Sequence, residues 1–321
     1  KSELDRQLGA AGIASARITR GDAMHEASRM LLSGWFDWLR ERASADQWRR
    51  QREILARQAQ VVGRRVELGD APRLERLQAD AALAQAEAQL AQALGRAEVA
   101  AEQLHKLYPA LHLPAQLADV APVQIDADAL SWRNAILEHN HELGVARSES
   151  ARARIQANRT DAERRPDPSV GVHMANDRGG EERIIGLTLS IPLPGEGRRA
   201  DADMAIANAQ ASAYREAGVL RKIEAEAAAL YRRATAAHTG WQSQHLAAEA
   251  LGRSAELTER AWQLGEGSLS ETLAARRLAH EARLAARLAQ LDASEARYRL
   301  LLDAHRLWPL DKHDDDDHDH P

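Results

Sequence analysis

Cysteine is absent from this chain of 321 residues, which excludes disulfide frameworks, zinc–thiolate sites and thiol nucleophiles. Aromatic residues make up only 4%, with a single Phe, so a large all-β protein is excluded. The net charge of -5 offers no basic surface for nucleic acid. No run of about 18 apolar residues predicts a transmembrane helix. The charged residues from Lys1 to Arg6 do not form a signal-peptide pattern.

An internal repeat organises what the sequence does contain. Ala, Leu, Arg, Glu and Gln dominate, a composition typical of long helices packed side by side. The run from His105 to Pro109 recurs from His305 to Pro309, and Leu68-Gly69-Asp70 recurs as Leu264-Gly265-Glu266. The two offsets, 200 and 196, differ by about one helical turn, which roughly preserves a helix face. The pattern predicts two copies of one unit, each with a long helix, a Gly turn and a second helix.

The predicted helices are unusually long. Nothing breaks a helix from Gly197 to Gln263, about 67 residues or roughly 100 Å, and a return helix is predicted from Ser268 to Leu307. Periodic apolar residues predict coiled-coil seams. A plain antiparallel coiled coil with no further role is the alternative. The seam positions are Leu83, Leu90, Ala97 and Leu104 in the first copy, Ile206, Ala213, Leu220 and Ala227 in the long helix, and Leu284, Leu288, Leu291, Tyr298 and Leu302 in the return helix.

The segment between the copies combines a helix with the β signal of the chain. A helix is predicted from about residue 128 to 164, capped by Asp126 or Asp128. Two alternating runs of about 8–10 residues follow, each with one aliphatic face and one small or polar face, as membrane strands require. A soluble hairpin lying on the helices is the alternative, but an isolated hairpin is marginal in water. The predicted lipid-facing residues are Val170, Val172, Met174, Leu187, Leu189, Ile191 and Leu193.

Open strand edges cannot lie in lipid, so the hairpin is expected to be completed by other strands. A matching helix and hairpin should precede the first long helix, and we expect that the natural protein has an N-terminal portion that this sequence lacks. The expected domains are a first repeat without its strands, a connector, a second repeat with its hairpin and long helical hairpin, and a disordered acidic tail. Their bounds are 1–109, 110–127, 128–310 (hairpin 169–193, helical hairpin 197–308) and 311–321.

In this order of elements the chain resembles the TolC-like outer-membrane efflux family, in its heavy-metal cation branch. His141 stands where the family usually has Pro. The resemblance covers nearly the whole chain, and its individual motifs gain specificity from their order. The residues that carry it are Pro166-Asp167-Pro168-Ser169-Val170, Leu189-Ser190-Ile191-Pro192-Leu193, Gly195-Glu196-Gly197-Arg198-Arg199, the run from Arg260 to Ser268 with Glu271 and Leu273, and the run from Ala135 to Leu143.

The resemblance implies a mainly α fold, with long antiparallel coiled-coil helices in two structural repeats and one membrane-type β-hairpin. On trimerisation such chains form an α-barrel plus a twelve-stranded β-barrel. The implied protein is a passive duct and not an enzyme, located in the outer membrane of a Gram-negative bacterium with most of the chain in the periplasm. Its implied partners are two further copies, a periplasmic adaptor, an inner-membrane proton-driven pump and outer-membrane lipid. Three copies of this chain would supply only six strands, fewer than the smallest usual membrane barrel.

The resemblance also places adaptor docking and a closable aperture at the helix–helix turns. Ordinary turn chemistry is the alternative, because Gly favours helix ends and Ser268 and Pro72 suit helix starts. Acidic rings would favour cations if Asp70 and Glu266 faced a lumen. The matching residues are Leu68, Gly69, Asp70, Leu264, Gly265, Glu266, Gly267 and Ser268.

Histidines in the acidic tail are candidate ligands for transient divalent metal: His313, His318 and His320. A disordered, solvated tail is the alternative reading of the same residues. His139 and His141 would face apart on one helix and are poor joint ligands. No resident cofactor is indicated. A soluble periplasmic coiled-coil scaffold and a metal-buffering protein remain the alternative functions.

Overall fold

The computed structural model describes residues 1–117, 119–165, 167–177, 182–191 and 195–307, without the side chains of 176, 177 and 182–184. Within these ranges the chain forms six helices and one antiparallel hairpin, a mainly α fold. None of the described helices is both long and apolar enough to cross a membrane. The elements are α1 (Ser2–Glu67), α2 (Arg73–Leu107), α3 (Ala129–His139), α4 (His141–Ala162), β1 (Ser169–Asp177), β2 (Glu182–Ser190), α5 (Glu196–Gln263) and α6 (Leu269–Asp303).

Two helices have the exceptional length that the sequence predicts. α1 has 66 residues and α5 has 68, so each is about 100 Å long at 1.5 Å per residue. Neither contains Pro, and both are rich in Ala, Leu, Arg and Glu, the strongest helix formers. The predicted span from Gly197 to Gln263 is therefore confirmed.

The chain divides into two compact units. Unit 1 comprises Lys1–His25 and Leu137–Ala225, and unit 2 comprises Glu26–Ile136 and the chain from Glu226 onward. In unit 2 the buried positions of the long helices are mostly alanines spaced by seven residues, which lets helix backbones approach closely. These residues are Ala79, Ala86 and Ala93 in α2 and Ala227, Ala234, Ala248, Ala255 and Trp262 in α5.

The predicted seams are only partly correct. In α5 within unit 1, Ile206 is 42% exposed, whereas Ala202 and Ile223, three heptads apart, are buried. Within unit 1 the buried frame of α5 thus lies one turn before the predicted frame, whereas Ala227, the predicted seam residue in unit 2, is buried. In α2, Ala97 and Leu104 are buried as predicted, but Leu83 and Leu90 are only half-buried.

The single helix predicted over residues 128–164 is wrong. The chain breaks at Asn140, whose side-chain Oδ1 accepts a hydrogen bond from the Leu143 backbone at 2.8 Å and caps α4. His141 is the first residue of α4, a position that also suits Pro. The cap prediction for α3 holds, because Asp128 accepts from the Ser131 N–H at 2.8 Å, and this bond lowers the pKa of Asp128.

The hairpin pairs Ser169 with Ser190 and continues in register to Asp177 and Glu182. Each strand has nine residues. Both strands extend further toward the turn than the alternating pattern predicts. Ile191 follows the end of β2, and Leu193 lies outside the described residues.

Candidate docking tips and membrane hairpin

The two helix–helix turns have the same backbone geometry. Gly69 has φ 81° and Gly265 has φ 84°, the left-handed conformation that Gly adopts without steric cost. In the first turn the Asp70 N–H donates to the Arg65 carbonyl at 2.8 Å, and in the second the Glu266 N–H donates to the Ala261 carbonyl at 2.9 Å. Each turn is therefore a Schellman motif, and the offset of 196 residues in sequence is reproduced in structure.

Leucines project from both turns into solvent. Leu68 and Leu264 occupy equivalent positions, and each side chain is 70% exposed. The acidic residue two positions later, Asp70 or Glu266, is also exposed. Each tip thus presents one aliphatic side chain and one carboxylate around a Gly. A surface of this kind suits a partner with an apolar pocket and a nearby cation.

The turns differ in how the second helix begins. Ser268 and Glu271 form a complete capping box: the Glu271 N–H donates to Ser268 Oγ at 3.2 Å, and the Ser268 N–H donates to Glu271 Oε2 at 3.1 Å. This backbone donor lowers the pKa of Glu271. Pro72 holds the cap position of α2 without a side-chain hydrogen bond, not the first helical position that the sequence suggests.

A hydrophobic cluster within unit 2 supports the tips. Residues from α1, α2, α5 and α6 contact one another there, and the Arg65 guanidinium lies 5.2 Å from the centre of the Trp262 ring. Both helical hairpins are thereby tied together just behind their turns. The cluster consists of Ala59, Val62, Ala79, Trp262 and Leu269, flanked by Val66, Leu83 and Leu273.

One face of the hairpin is aliphatic and solvent-exposed. The register pairs each aliphatic residue of β1 directly with one of β2, so all of them share one face. Ile185, which the sequence analysis missed, extends this face toward the turn. Strict alternation continued two residues back from Leu187 would have identified it. The pairs are Val170 with Leu189, Val172 with Leu187, and Met174 with Ile185, with exposures between 64% and 79%.

The opposite face carries small or polar residues, with one large side chain. Ser169, Gly171 and Ala175 lie on this face of β1, and Ser190 and Thr188 lie on β2. The His173 ring lies across Gly186, so closely that a Cβ at Gly186 would come within 2.2 Å of it. Gly186 is therefore required for this cross-strand packing.

The histidines fall into separate settings. His313, His318 and His320 lie outside the described residues. His139 ends α3 and His141 begins α4, so they do not share a helix; the His141 ring instead meets the His25 ring edge-on, with centroids 5.9 Å apart. Among the described residues, no group of three or more His, Asp or Glu could hold a metal ion.

No model of a known protein family and no curated protein sequence matches this chain. Solved structures do match. The outer membrane protein VceC of Vibrio cholerae aligns with a TM-score of 0.77 at 16% identity, over 92% of this chain and 74% of VceC. The CmeC outer membrane channel of Campylobacter jejuni gives 0.74 at 14% identity, over 94% of this chain and 67% of CmeC. The open-state MtrE outer membrane channel of Neisseria gonorrhoeae gives 0.64 at 17%, over 94% and 71%.

This chain has the fold of the TolC-like outer-membrane efflux channels. The predicted fold class is confirmed, and the resemblance found in the sequence extends to the three-dimensional structure. The matching structures are channel proteins and not enzymes. The roles of the tip and hairpin residues remain predictions.

Proposed function

We propose that this protein is the outer-membrane exit duct of a tripartite efflux system. The observation that carries the proposal is the aliphatic hairpin face, whose six paired side chains are all exposed. An aliphatic face of this extent is costly in water, whereas in a bilayer it would contact lipid tails. The TolC-like channel fold supports the same conclusion. The proposed location is the outer membrane of a Gram-negative bacterium, with the long helices in the periplasm.

The proposed assembly is a homotrimer. A hairpin of two strands has two open edges, and lipid cannot hydrogen-bond the exposed backbone groups. Strands from further copies of the chain are the simplest completion of this sheet. The proposed partners at the tips are a periplasmic adaptor, which contacts Leu68 and Leu264, and through it an inner-membrane proton-driven pump. The equal exposure and equal geometry of the two tips support a docking role, with the six tips of a trimer forming one end.

Heavy-metal cations are the proposed cargo, and the composition of the C-terminal tail supports this choice. The tail contains three His and six Asp from Asp311 to His320, which are suitable ligands for Zn²⁺, Cu²⁺ or Ni²⁺. Titration of Zn²⁺ by calorimetry, with the full chain and with a chain lacking 311–321, tests this role. Equal heats from the two proteins would remove the tail from the proposal.

A pair of arginine substitutions on neighbouring residues of β2 tests the membrane role. Leu187→Arg places a guanidinium on the aliphatic face, which costs about 2–4 kcal/mol per chain at the bilayer midplane. Thr188→Arg is the matched control, because Thr188 faces the opposite side and its cross-strand neighbour is Gly171, which leaves room. We expect the Leu187→Arg protein to lose membrane insertion, trimer yield and conductance in planar bilayers, while the control retains all three.

Equal behaviour of the two variants would contradict the assignment of the faces. A wild-type protein that purifies as a monomer without detergent would contradict the duct itself and favour the soluble scaffold. Native mass spectrometry in detergent provides the oligomeric state directly.

A further inference from the structure

A short exposed surface that combines apolar and charged side chains precedes the first helix–helix turn. Val61, Arg64 and Leu68 lie at positions i, i+3 and i+7, so they share one face at the end of α1. The Leu68 N–H donates to the Arg64 carbonyl at 3.1 Å, which continues the helical geometry as far as Leu68. All three side chains are exposed, and the exposed Asp70 follows in the turn. We call these four residues the first tip face.

The second turn has an equivalent tip face. Its residues lie 196 positions later and are also exposed: Leu257, Arg260, Leu264 and Glu266. The Leu264 N–H donates to the Arg260 carbonyl at 3.1 Å, as in the first turn. Each tip face therefore has the same order: an aliphatic residue, a cation, a leucine and a carboxylate. Left-handed backbone geometry explains the Gly of each turn, but it does not require an arginine one helical turn before the leucine.

The arginines of the two tip faces are not committed to carboxylates of this chain. Across the residues that the structure describes, neither Arg64 nor Arg260 makes an ion pair. Acidic residues one turn from them pair with other arginines, at 3.8 and 3.9 Å: Glu67 with Arg76, and Glu256 with Arg283. A cation in the last turn of a helix also favours the helix dipole, but the dipole does not decide which face carries the cation. Two exposed aliphatic neighbours on the same face indicate a contact with an external partner.

We propose that each tip face binds a partner helix that carries a carboxylate, an apolar residue and a cation in that order. The carboxylate would pair with Arg64 or Arg260, and the apolar residue would pack against the exposed leucine. The cation would pair with Asp70 or Glu266. Turning the partner helix round would bring like charges together at both ends, so the charges fix its direction. This inference rests on the docking role proposed for the tips, and it adds the two arginines and the polarity of the partner.

Three helical peptides of equal length test this polarity on the full-length protein. Each is a three-heptad helix built from Ala and Gln, with two Leu residues seven positions apart and little affinity for detergent micelles. The dipolar peptide has Glu between the two Leu residues and Lys one turn beyond the second. The other two peptides have Glu at both of these positions or Lys at both. Fluorescence anisotropy at low salt measures the three affinities.

We expect the dipolar peptide to bind about fivefold more tightly than either of the others, because each of those places one like charge against the tip face. Arg64→Gln combined with Arg260→Gln should remove the preference over the peptide with two Lys. The preference over the peptide with two Glu should remain, because it depends on Asp70 and Glu266. Arg64→Glu combined with Arg260→Glu should make the peptide with two Lys the tightest binder.

Arg277→Gln is the matched control. Arg277 lies on α6, is 71% exposed and pairs with Glu281 outside both tip faces, so its removal should leave all three affinities unchanged. Circular dichroism and native mass spectrometry check the helix content and oligomeric state of each variant. Equal affinities for the three peptides, no binding of any peptide, or a preference that survives the loss of both arginines would each overturn the inference. Conductance in planar bilayers tests the duct separately, so a conducting protein without the peptide preference would remove only this docking mode.

Discussion

A buried ion cluster lies at the end of α6. Removing its carboxylate and removing one of its guanidiniums should lower the free energy of unfolding by different amounts. Asp303 has a side chain that is only 2% exposed, and its carboxylate oxygens accept from Arg29 Nε at 2.9 Å and Arg299 Nε at 3.1 Å. The two arginine side chains are 21% and 34% exposed. Burial alone would lower the pKa of Arg29, but the hydrogen bond and charge of Asp303 outweigh it and raise the pKa.

The stability loss of each variant depends on which charged group remains buried after the substitution. Arg29→Met removes one guanidinium from the buried Asp303 carboxylate, and breaking a buried ion pair by removing one partner costs about 3–5 kcal/mol. Asp303→Asn leaves two arginines whose long side chains can extend toward water, so its cost should be about 1–2 kcal/mol. The double variant Arg29→Met with Asp303→Leu should recover most of the loss, because both charges are gone.

Thermal unfolding of the four proteins in one detergent at pH 7.5 measures these differences. The prediction requires the order wild type, Asp303→Asn, Arg29→Met from highest to lowest Tm, with the double variant above Arg29→Met. A lower Tm for the Asp303→Asn variant than for Arg29→Met would refute the reasoning, because it would show that the arginines cannot reach water.

Two further predictions concern local stability. The pKa of His280 is about 4 when folded and near 6.5 when unfolded, so the unfolded chain binds the proton first and stability falls as pH drops from 6.5 toward 4. His280→Leu should remove about 2 kcal/mol of the loss in unfolding free energy between pH 7.5 and 5, and identical pH slopes for the two proteins would contradict this. Gly69→Ala and Gly265→Ala force Ala into a left-handed conformation and should each cost about 1–2 kcal/mol. Gly240→Ala, in the interior of α5 with open space at its Cβ, should stabilise by about 0.5–1 kcal/mol, and equal Tm changes for the three variants would refute the turn assignment.

Helix lengths, turns and strand faces could be predicted from the sequence because each depends on local chemistry. The absence of Pro and of helix-breaking runs fixes α5 to within one residue of its predicted start, and Gly69 and Gly265 mark turns that need positive φ. The two strand faces follow from alternation alone. The internal sequence repeat also predicted that the two turns are equivalent.

The buried face of each helix was harder to predict because Ala-rich helices have little contrast. In α5 the frame from Ile206 is apolar at every seventh position, whereas the frame from Ala202 contains Glu216. The sequence therefore favours the frame from Ile206, but Ala202 and Ile223 are the buried residues within unit 1. The break at Asn140 had a readable signal, since Asn followed by acidic Glu142 is a common helix start, but helix formers such as Leu137, Glu138 and Leu143 lie on both sides of it.

The buried alanines and the exposed hairpin face have opposite consequences for assembly. Alanine seams place little apolar surface between helices, so each protomer gains less from its own packing than a leucine core would give. At the same time Leu187, Met174 and the tip leucines remain exposed. A chain of this kind leaves a large share of its apolar surface for contacts outside itself. Its stability should therefore depend on protein concentration and on detergent, which a monomeric coiled coil with the same helices would not show.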